Sequence, residues 1–356
     1  MKDLFQKELY QIHAYVPGEQ PPPESRIVKL NTNENPYPPS PQIAKSIRKI
    51  LKDGLLRKYP SPDSAPLRVA LADHFGLKKE NFLITNGSDE GLSLLFRSIL
   101  SPESTVVMPY PTYSLYPILT DLELNSSKTK KIPLKSDFHF DMEALERAEG
   151  NLLTFAHPNA PTGIREDKNS LLNLISHFNG MVLCDEAYID FAEPDTSLIR
   201  EVVNHKNLIV SRTFSKSYSL AGLRVGFLVG SEENISLISK IKDSYNLGLL
   251  EQVIALTSFL DQKYHKKTLE KIIHSREKLK VALEKMGYSV LKSETNFLFA
   301  KPPEGVDPAL LFNYLKQNDI YIRYFSDEYC REYIRISIGK PGENKKLLSV
   351  LKSYQR

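Results

Sequence analysis

Short apolar runs alternate with amphipathic stretches through the middle of this chain, and no other feature restricts the fold as strongly. The runs "NFLIT", "TVVMP", "LLTFA", "MVLCD", "NLIVSRT" and "VGFLVG" are separated by segments with helical spacing such as "APLRVALADHFG", "GLSLLFRSIL" and "KNSLLNLISHF". Apolar strands spaced by helices predict a mainly parallel sheet covered on both faces. Beyond about Asn246 come long helices and then "TNFLFA", "IYIRYF" and "YIRISI", with the helical "PALLFNYLKQN" between the first two. The prediction is an α/β fold: a three-layer α/β/α large domain with a mainly parallel sheet over residues 41–247, and a smaller α+β domain over 248–356. The opening segment, with "VPGEQPPPESR" and "NTNENPYPPSP", is too rich in proline and asparagine for a helix or central strand. It is expected to form an arm, residues 1–40, associated with the small domain.

Composition narrows the class of function. The 356 residues are 41% hydrophobic and 25% charged, an ordinary globular balance. The net charge of +4 comes from 47 basic against 43 acidic side chains and gives little attraction for nucleic acid. The densest basic stretch, "KYHKKTLEKIIHSREKLK", sets Leu269, Ile272, Ile273, Leu279 and then Leu283 near helical spacing, which reads as a packed helix with a solvated face. The N-terminal residues lack the continuous apolar core of a secretory signal, and no segment reaches the length of a membrane span. A cytoplasmic protein without nucleic-acid or membrane partners is expected. Cys184 and Cys330 lie far apart and form neither a zinc pattern nor a disulfide framework; Cys184, inside "MVLCDEA", reads as a buried thiol.

In sheets of this kind ligands bind beyond the carboxyl ends of the strands, so the residues after each apolar run carry the chemistry. "GMVLCDEAYIDF" ends a strand in Asp-Glu, which could hold magnesium at a nucleotide site, but the chain has no G-x-x-x-x-G-K-[ST] loop to accompany it. H-E-x-x-H, G-x-S-x-G and a post-strand G-x-G-x-x-G are also missing, which argues against zinc proteases, serine hydrolases and dinucleotide enzymes.

What remains is a different constellation. Lys216 follows "NLIVSRT", at a strand end where an amine can serve as a nucleophile. Around it, Thr213, Ser215, Arg224 and the strand-to-helix turn at Gly87-Ser88-Asp89 offer the hydroxyl, guanidinium and backbone donors that cradle a phosphate. "HPNAPTG" puts Asn159 beyond another strand end. Together these parts specify pyridoxal phosphate, which needs a lysine for its aldehyde, a phosphate cup, and a carboxylate that keeps its pyridine nitrogen protonated. Asp185 supplies the carboxylate, Asn159 and Tyr188 could donate to the ring hydroxyl, and Tyr113 in "PYPTYSLY" could cover the ring face.

The chain resembles the fold-type I pyridoxal-phosphate aminotransferases, and among them the histidinol-phosphate aminotransferase group, from about Ile12 to Lys340. "KLNTNENPYPPSP" is the most group-specific string; "RKYP…LR", "TNGSDEG", "PTYSLY", "HPNAPTG", "DEAYIDF", "TFSKSYSLAGLRVGF" and "RISIG" are shared more widely. Carried over by position, the resemblance implies that Lys216 bonds the cofactor aldehyde, that Asp185 partners the pyridine nitrogen, and that Asn159 and Tyr188 hold the ring hydroxyl. Ser88, Asp89, Thr213, Ser215 and Arg224 would fall at or near the phosphate, with Tyr113 on the ring. Tyr59 would reach the cofactor phosphate of the neighbouring subunit, which implies a homodimer. Arg335 would hold the carboxylate of glutamate, and Arg323, Tyr15 and Arg335 would meet a substrate phosphate, with Asn33 also at the substrate.

Two departures stand out. Ala160 occupies a position where the family often has a second asparagine, and His157 one where Asn or Ser is usual. Tyr324 and Phe325 follow Arg323 where relatives vary. The resemblance implies transamination between L-histidinol phosphate and 2-oxoglutarate, an amino donor and a 2-oxo acid acceptor, in histidine biosynthesis. The alternatives are an aromatic amino-acid aminotransferase, a threonine-phosphate decarboxylase on the same fold, and a non-catalytic cofactor-binding regulator.

Overall fold

The computed structural model describes residue 4 and residues 18–22, 25–123 and 128–354. In chain order the elements are β1 (Val28–Lys29), α1 (Ile43–Lys52), α2 (Ala65–Phe75), β2 (Phe82–Thr85), α3 (Gly87–Ile99), β3 (Thr105–Tyr110), α4 (Leu115–Glu123), β4 (Lys128–Pro133), α5 (Met142–Glu146), β5 (Leu152–Ala156), α6 (Lys168–His177) and β6 (Met181–Asp185). They continue with β7 (Leu208–Thr213), β8 (Gly226–Val229), α7 (Glu232–Ser239), α8 (Leu249–Leu260), α9 (Gln262–Glu284), β9 (Ser289–Val290), β10 (Phe297–Lys301), α10 (Pro308–Gln317), β11 (Ile320–Tyr321), β12 (Arg323–Tyr324), β13 (Ile334–Ser337) and α11 (Pro341–Tyr354).

Seven strands form the large sheet in the order β2-β8-β7-β6-β5-β3-β4. From β4 to β7 every pairing is parallel, and β8 runs antiparallel to both β7 and β2. The central strands are buried along nearly their whole length because both faces are covered, and polar residues, Asp185 of β6 and Ser211, Arg212 and Thr213 of β7, gather at the carboxyl ends of these two strands. Leu153, Val182 and Val210 enter the core on one side, while their neighbours Leu152, Leu183 and Ile209 enter the core on the other. At the edge, β4 reads "KTKKIP", with Lys128, Lys130 and Lys131 exposed. Its composition hides it from an apolar-run search, yet charge is what discourages an edge strand from pairing with another chain.

A second, antiparallel sheet has the order β12-β13-β10-β9. The run "IYIRYF" does not form one strand. It breaks at Ile322, so that β11 pairs in parallel with β1 of the N-terminal segment while β12 joins β13. Val28 and Leu30 are buried in the same core as Ile320, Ile322 and Ile336. Packing on the large sheet runs past residue 247: Ile254, Ala255 and Phe259 of α8 belong to its core, whereas Ile272, Leu279 and Leu283 of α9 belong to the second one. A fully buried Ile or Phe contributes about 1.5–3 kcal/mol, enough to hold α8 with the large sheet. Most charged residues of α9 occupy its outer face, as the basic stretch predicts, but Arg276 is buried and donates to the Phe191 and Thr295 carbonyls. Among the described residues no helix is long and apolar enough to cross a membrane.

Candidate active site

The carboxyl ends of β3, β5, β6 and β7, the Asn31–Glu34 segment and the strands β12 and β13 converge on a cavity of about 440 Å³. Its floor is Asp185, the last residue of β6, only 4% exposed. The Tyr116 hydroxyl donates to its Oδ2 (3.0 Å) and the Ala187 amide to its Oδ1 (3.1 Å). Burial nevertheless pushes the carboxyl pKa up to about 6, against those two hydrogen bonds. A cationic N–H arriving beside it would restore the ionised form.

Lys216 lies three residues beyond β7 and its Nζ donates to the Thr32 carbonyl (3.2 Å). The string "NTNEN" accounts for the surroundings of this amine. Asn33, with a left-handed φ of 55°, donates from Nδ2 to the Tyr188 hydroxyl (2.9 Å). Its amide and Oδ1 both meet the Ser337 hydroxyl of β13 (2.9 Å each). Asn35 donates to the backbone carbonyls of Lys216 and Ser217, each at 3.1 Å. Thr32, Asn35 and Tyr116 were not among the predicted site residues. The asparagines at alternate positions 31, 33 and 35 were the available signal for the first two, whereas Tyr116 looked like one more apolar position of α4.

Beside the lysine is a cradle for an anion. Ser88 and Asp89 occupy the first turn of α3, where backbone N–H groups have no helical partner. Arg224, itself at φ 57°, extends Nη1 to the Ser215 hydroxyl (3.4 Å) and Nη2 to Asp89 (2.8 Å). Asp89 thus orients the guanidinium. Thr213 Oγ1 accepts the Ser215 amide (3.1 Å). Two glycines permit this approach: a Cβ on Gly87 would stand 2.5 Å from Arg224 Nη2, and one on Gly226 2.5 Å from the Ser88 nitrogen.

Arg323 and Arg335 are direct cross-strand partners of β12 and β13 and line the same cavity, as does Tyr113. Behind the floor lies a buried charged cluster. Arg212 pairs with Asp190 and, at 3.5 Å, with Glu186; Asp190 accepts the Ser217 hydroxyl (2.5 Å), and the His265 ring, stacked on Tyr218 at 3.9 Å, approaches it to 3.8 Å. Burial alone would raise the Asp190 pKa, but Arg212, His265 and Ser217 together lower it to about 2.

Two predicted residues are placed elsewhere. Asn159 is buried but does not line the cavity; its neighbour Ala160 does. The Asn159 Nδ2 donates to the Pro111 carbonyl and to Thr162 Oγ1, both at 3.2 Å, so its amide holds two loops together. Tyr59 is 82% exposed, stacks on Tyr245 at 4.7 Å and lies outside this chain's cavity. Tyr15 lies outside the described residues. His157 is wholly buried, and burial lowers its pKa to about 4, which keeps the ring neutral.

The donor set fits pyridoxal phosphate. A buried carboxylate seeks a cation, an anion cradle opens at a helix N-terminus with an arginine, and a lysine whose amine donates to the Thr32 carbonyl lines the same cavity.

Comparison with known proteins agrees with this geometry. Residues 25–351 match the family "Aminotransferase class I and II". The histidinol-phosphate aminotransferase 1 of Nostoc sp. is 38% identical over 353 residues, covering 99% of this chain and 98% of the relative. The histidinol-phosphate aminotransferase of Clostridium botulinum is 38% identical over 346 residues, 96% of this chain and 95% of the relative. The crystal structure of histidinol-phosphate aminotransferase from Sinorhizobium meliloti in complex with pyridoxal 5'-phosphate superposes with a TM-score of 0.84 at 26% identity, covering 92% of this chain and 91% of that one. The chain therefore belongs to the class I and II aminotransferases, the pyridoxal-phosphate-dependent enzymes of fold type I, within the histidinol-phosphate aminotransferase group.

Proposed function

We propose that the chain transfers the amino group of L-histidinol phosphate to 2-oxoglutarate, giving imidazole acetol phosphate and L-glutamate, and so serves histidine biosynthesis in the cytoplasm. The observation that carries this reading is the pair Arg323 and Arg335, side by side on the wall of the cavity that Asp185 floors. Two adjacent guanidinium groups suit a phosphate dianion in one half of the reaction and a carboxylate in the other.

Pyridoxal phosphate, when bound, supplies an electron sink for the pair left on the substrate carbon that bears the amine. With the cofactor bound, Lys216 Nζ would hold its aldehyde and, once released by the substrate amine, would serve as the base that takes the proton from that carbon. Asp185 holds the proton on the ring nitrogen, with Tyr116 and the Ala187 amide fixing its two oxygens. Tyr188 accepts the Asn33 amide and is thereby free to give its own proton to the ring hydroxyl oxygen. With Ala160 on the cavity wall and the Asn159 amide engaged elsewhere, Tyr188 is the main donor there. Ser88, Thr213, Ser215 and Arg224 would hold the cofactor's phosphate, with Asp89 aiming Arg224, and Tyr113 would cover its ring. The exposed Tyr59 serves the neighbouring subunit's cofactor in a homodimer.

The test is glutamate formation from histidinol phosphate and 2-oxoglutarate by the holoenzyme and by Lys216→Ala. The variant should lose turnover together with the borohydride-reducible attachment of the cofactor; catalysis retained by Lys216→Ala would sink the assignment. A second reading, an aromatic amino-acid aminotransferase, draws on Tyr110 and Phe325, whose rings also line the cavity.

A further inference from the structure

The cross-strand pairing of Arg323 with Arg335 sets two like charges directly opposite each other, an arrangement that destabilises a sheet unless something offsets the repulsion. Phe325 touches both. The guanidinium carbon of Arg323 lies 5.4 Å from the centre of its ring, and that of Arg335 also lies 5.4 Å away. Arg335 is held further by the Phe297 ring at 5.2 Å and by donation from Nη2 to the Asn31 carbonyl (3.0 Å). Phe325 is half-buried and lines the cavity, as do Tyr110 and Asp327. An aromatic face attracts a guanidinium through its quadrupole while leaving the N–H edge available to an anion. A carboxylate in the same place would neutralise the arginines and compete with the ligand.

We propose that Phe325 is a specificity-determining residue, a ring that holds both guanidinium groups at one spacing so that they act together on a doubly charged end of the substrate. This rests on the reading of Arg323 and Arg335 as the site for substrate anions. Substrates that end in phosphate or in a second carboxylate depend on the ring. An amino acid with an uncharged side chain engages the pair through one carboxylate only and depends on it less.

The experiment compares Phe325→Leu, which keeps an apolar side chain without the aromatic face, and Phe325→Tyr, which keeps the face, with Arg323→Gln and Arg335→Gln, all as holoenzymes. For each, kcat and KM are measured with histidinol phosphate and with phenylalanine, together with competitive inhibition by inorganic phosphate and the melting temperature. Phe325→Leu should raise the histidinol phosphate KM and the phosphate inhibition constant about tenfold, with the loss in KM rather than kcat. The phenylalanine KM should rise less, and Phe325→Tyr should restore near-parental constants. Unchanged constants in Phe325→Leu, an equal loss for phenylalanine, or the same loss in Phe325→Tyr overturns the proposal while arginine effects persist. If both arginine variants leave KM and phosphate inhibition unchanged, the reading of the anion site fails first. A Phe325→Leu protein that melts markedly earlier is replaced by Phe325→Met, to which the same outcomes apply.

Discussion

Tyr116 of α4 donates its hydroxyl proton to Asp185 at the end of β6 across 3.0 Å, and both side chains are buried. The carboxyl pKa stands at about 6 all the same, because burial opposes the ion more strongly than two hydrogen bonds favour it. The folded-state value exceeds the ordinary 3.8, so the protonated carboxyl is the form that folding favours in the cofactor-free protein. Its contribution to stability is full below about pH 4 and is lost as pH rises through about 6, a change on the order of 3 kcal/mol. Asp185→Asn has no such titration. Melting of both cofactor-free proteins from pH 4 to 7 should show wild type losing stability relative to Asp185→Asn, and the cofactor should stabilise wild type most at the upper end.

Gly87→Ala places a Cβ 2.5 Å from Arg224 Nη2, at a φ of 74° that an alanine adopts with strain. The guanidinium must move out of the anion cradle. Titration of the cofactor by absorbance should give a dissociation constant at least about tenfold higher, since one charge-assisted hydrogen bond is worth about 1.5–3 kcal/mol. Arg224→Lys should fall between wild type and Gly87→Ala.

Arg212→Met leaves Glu186 and Asp190 buried without their shared cation. Loss of one partner of a buried charge cluster typically costs about 3–5 kcal/mol. Denaturant unfolding at neutral pH should show that loss, and Asp190→Asn should recover part of it in the double variant.

Tyr59 stands on the surface beside Tyr245, away from the cavity of its own chain. If it completes the site of a second subunit, the Lys216→Ala and Tyr59→Ala defects fall in the same site of a mixed dimer and leave the other site intact. Mixing the two after dissociation should restore up to about a quarter of wild-type activity by random pairing. Sedimentation of the wild type should give a dimer.

The central sheet was legible because β3, β5, β6, β7 and β8 are apolar on both faces, and burial on both sides removes the alternation that would otherwise confuse strand and helix. β4 was hidden by its edge lysines, and the break at Ile322 by an unbroken apolar run whose two ends pair with different strands. Asp185, Tyr188 and Lys216 could be found because each ends a strand or follows one within three residues, and Arg224 because it closes the motif that begins with Lys216. Which of two neighbours faces the cavity is a finer matter: Asn159 and Ala160 differ by one position, and the loop conformation alone decides that Ala160 lines it. The cluster of Glu186, Asp190, Arg212 and His265 joins residues up to 79 apart, from Glu186 to His265, and had no local signal at all.

The most direct test of the account is the specificity constant of the holoenzyme for each amino donor, measured as single-turnover loss of the cofactor's absorbance with histidinol phosphate, phenylalanine, tyrosine and threonine phosphate. Histidinol phosphate should exceed the aromatic amino acids by about a hundredfold or more, since an uncharged aromatic side chain brings no dianion to the Arg323 and Arg335 pair. A higher constant for phenylalanine, with histidinol phosphate a poor donor, would contradict it.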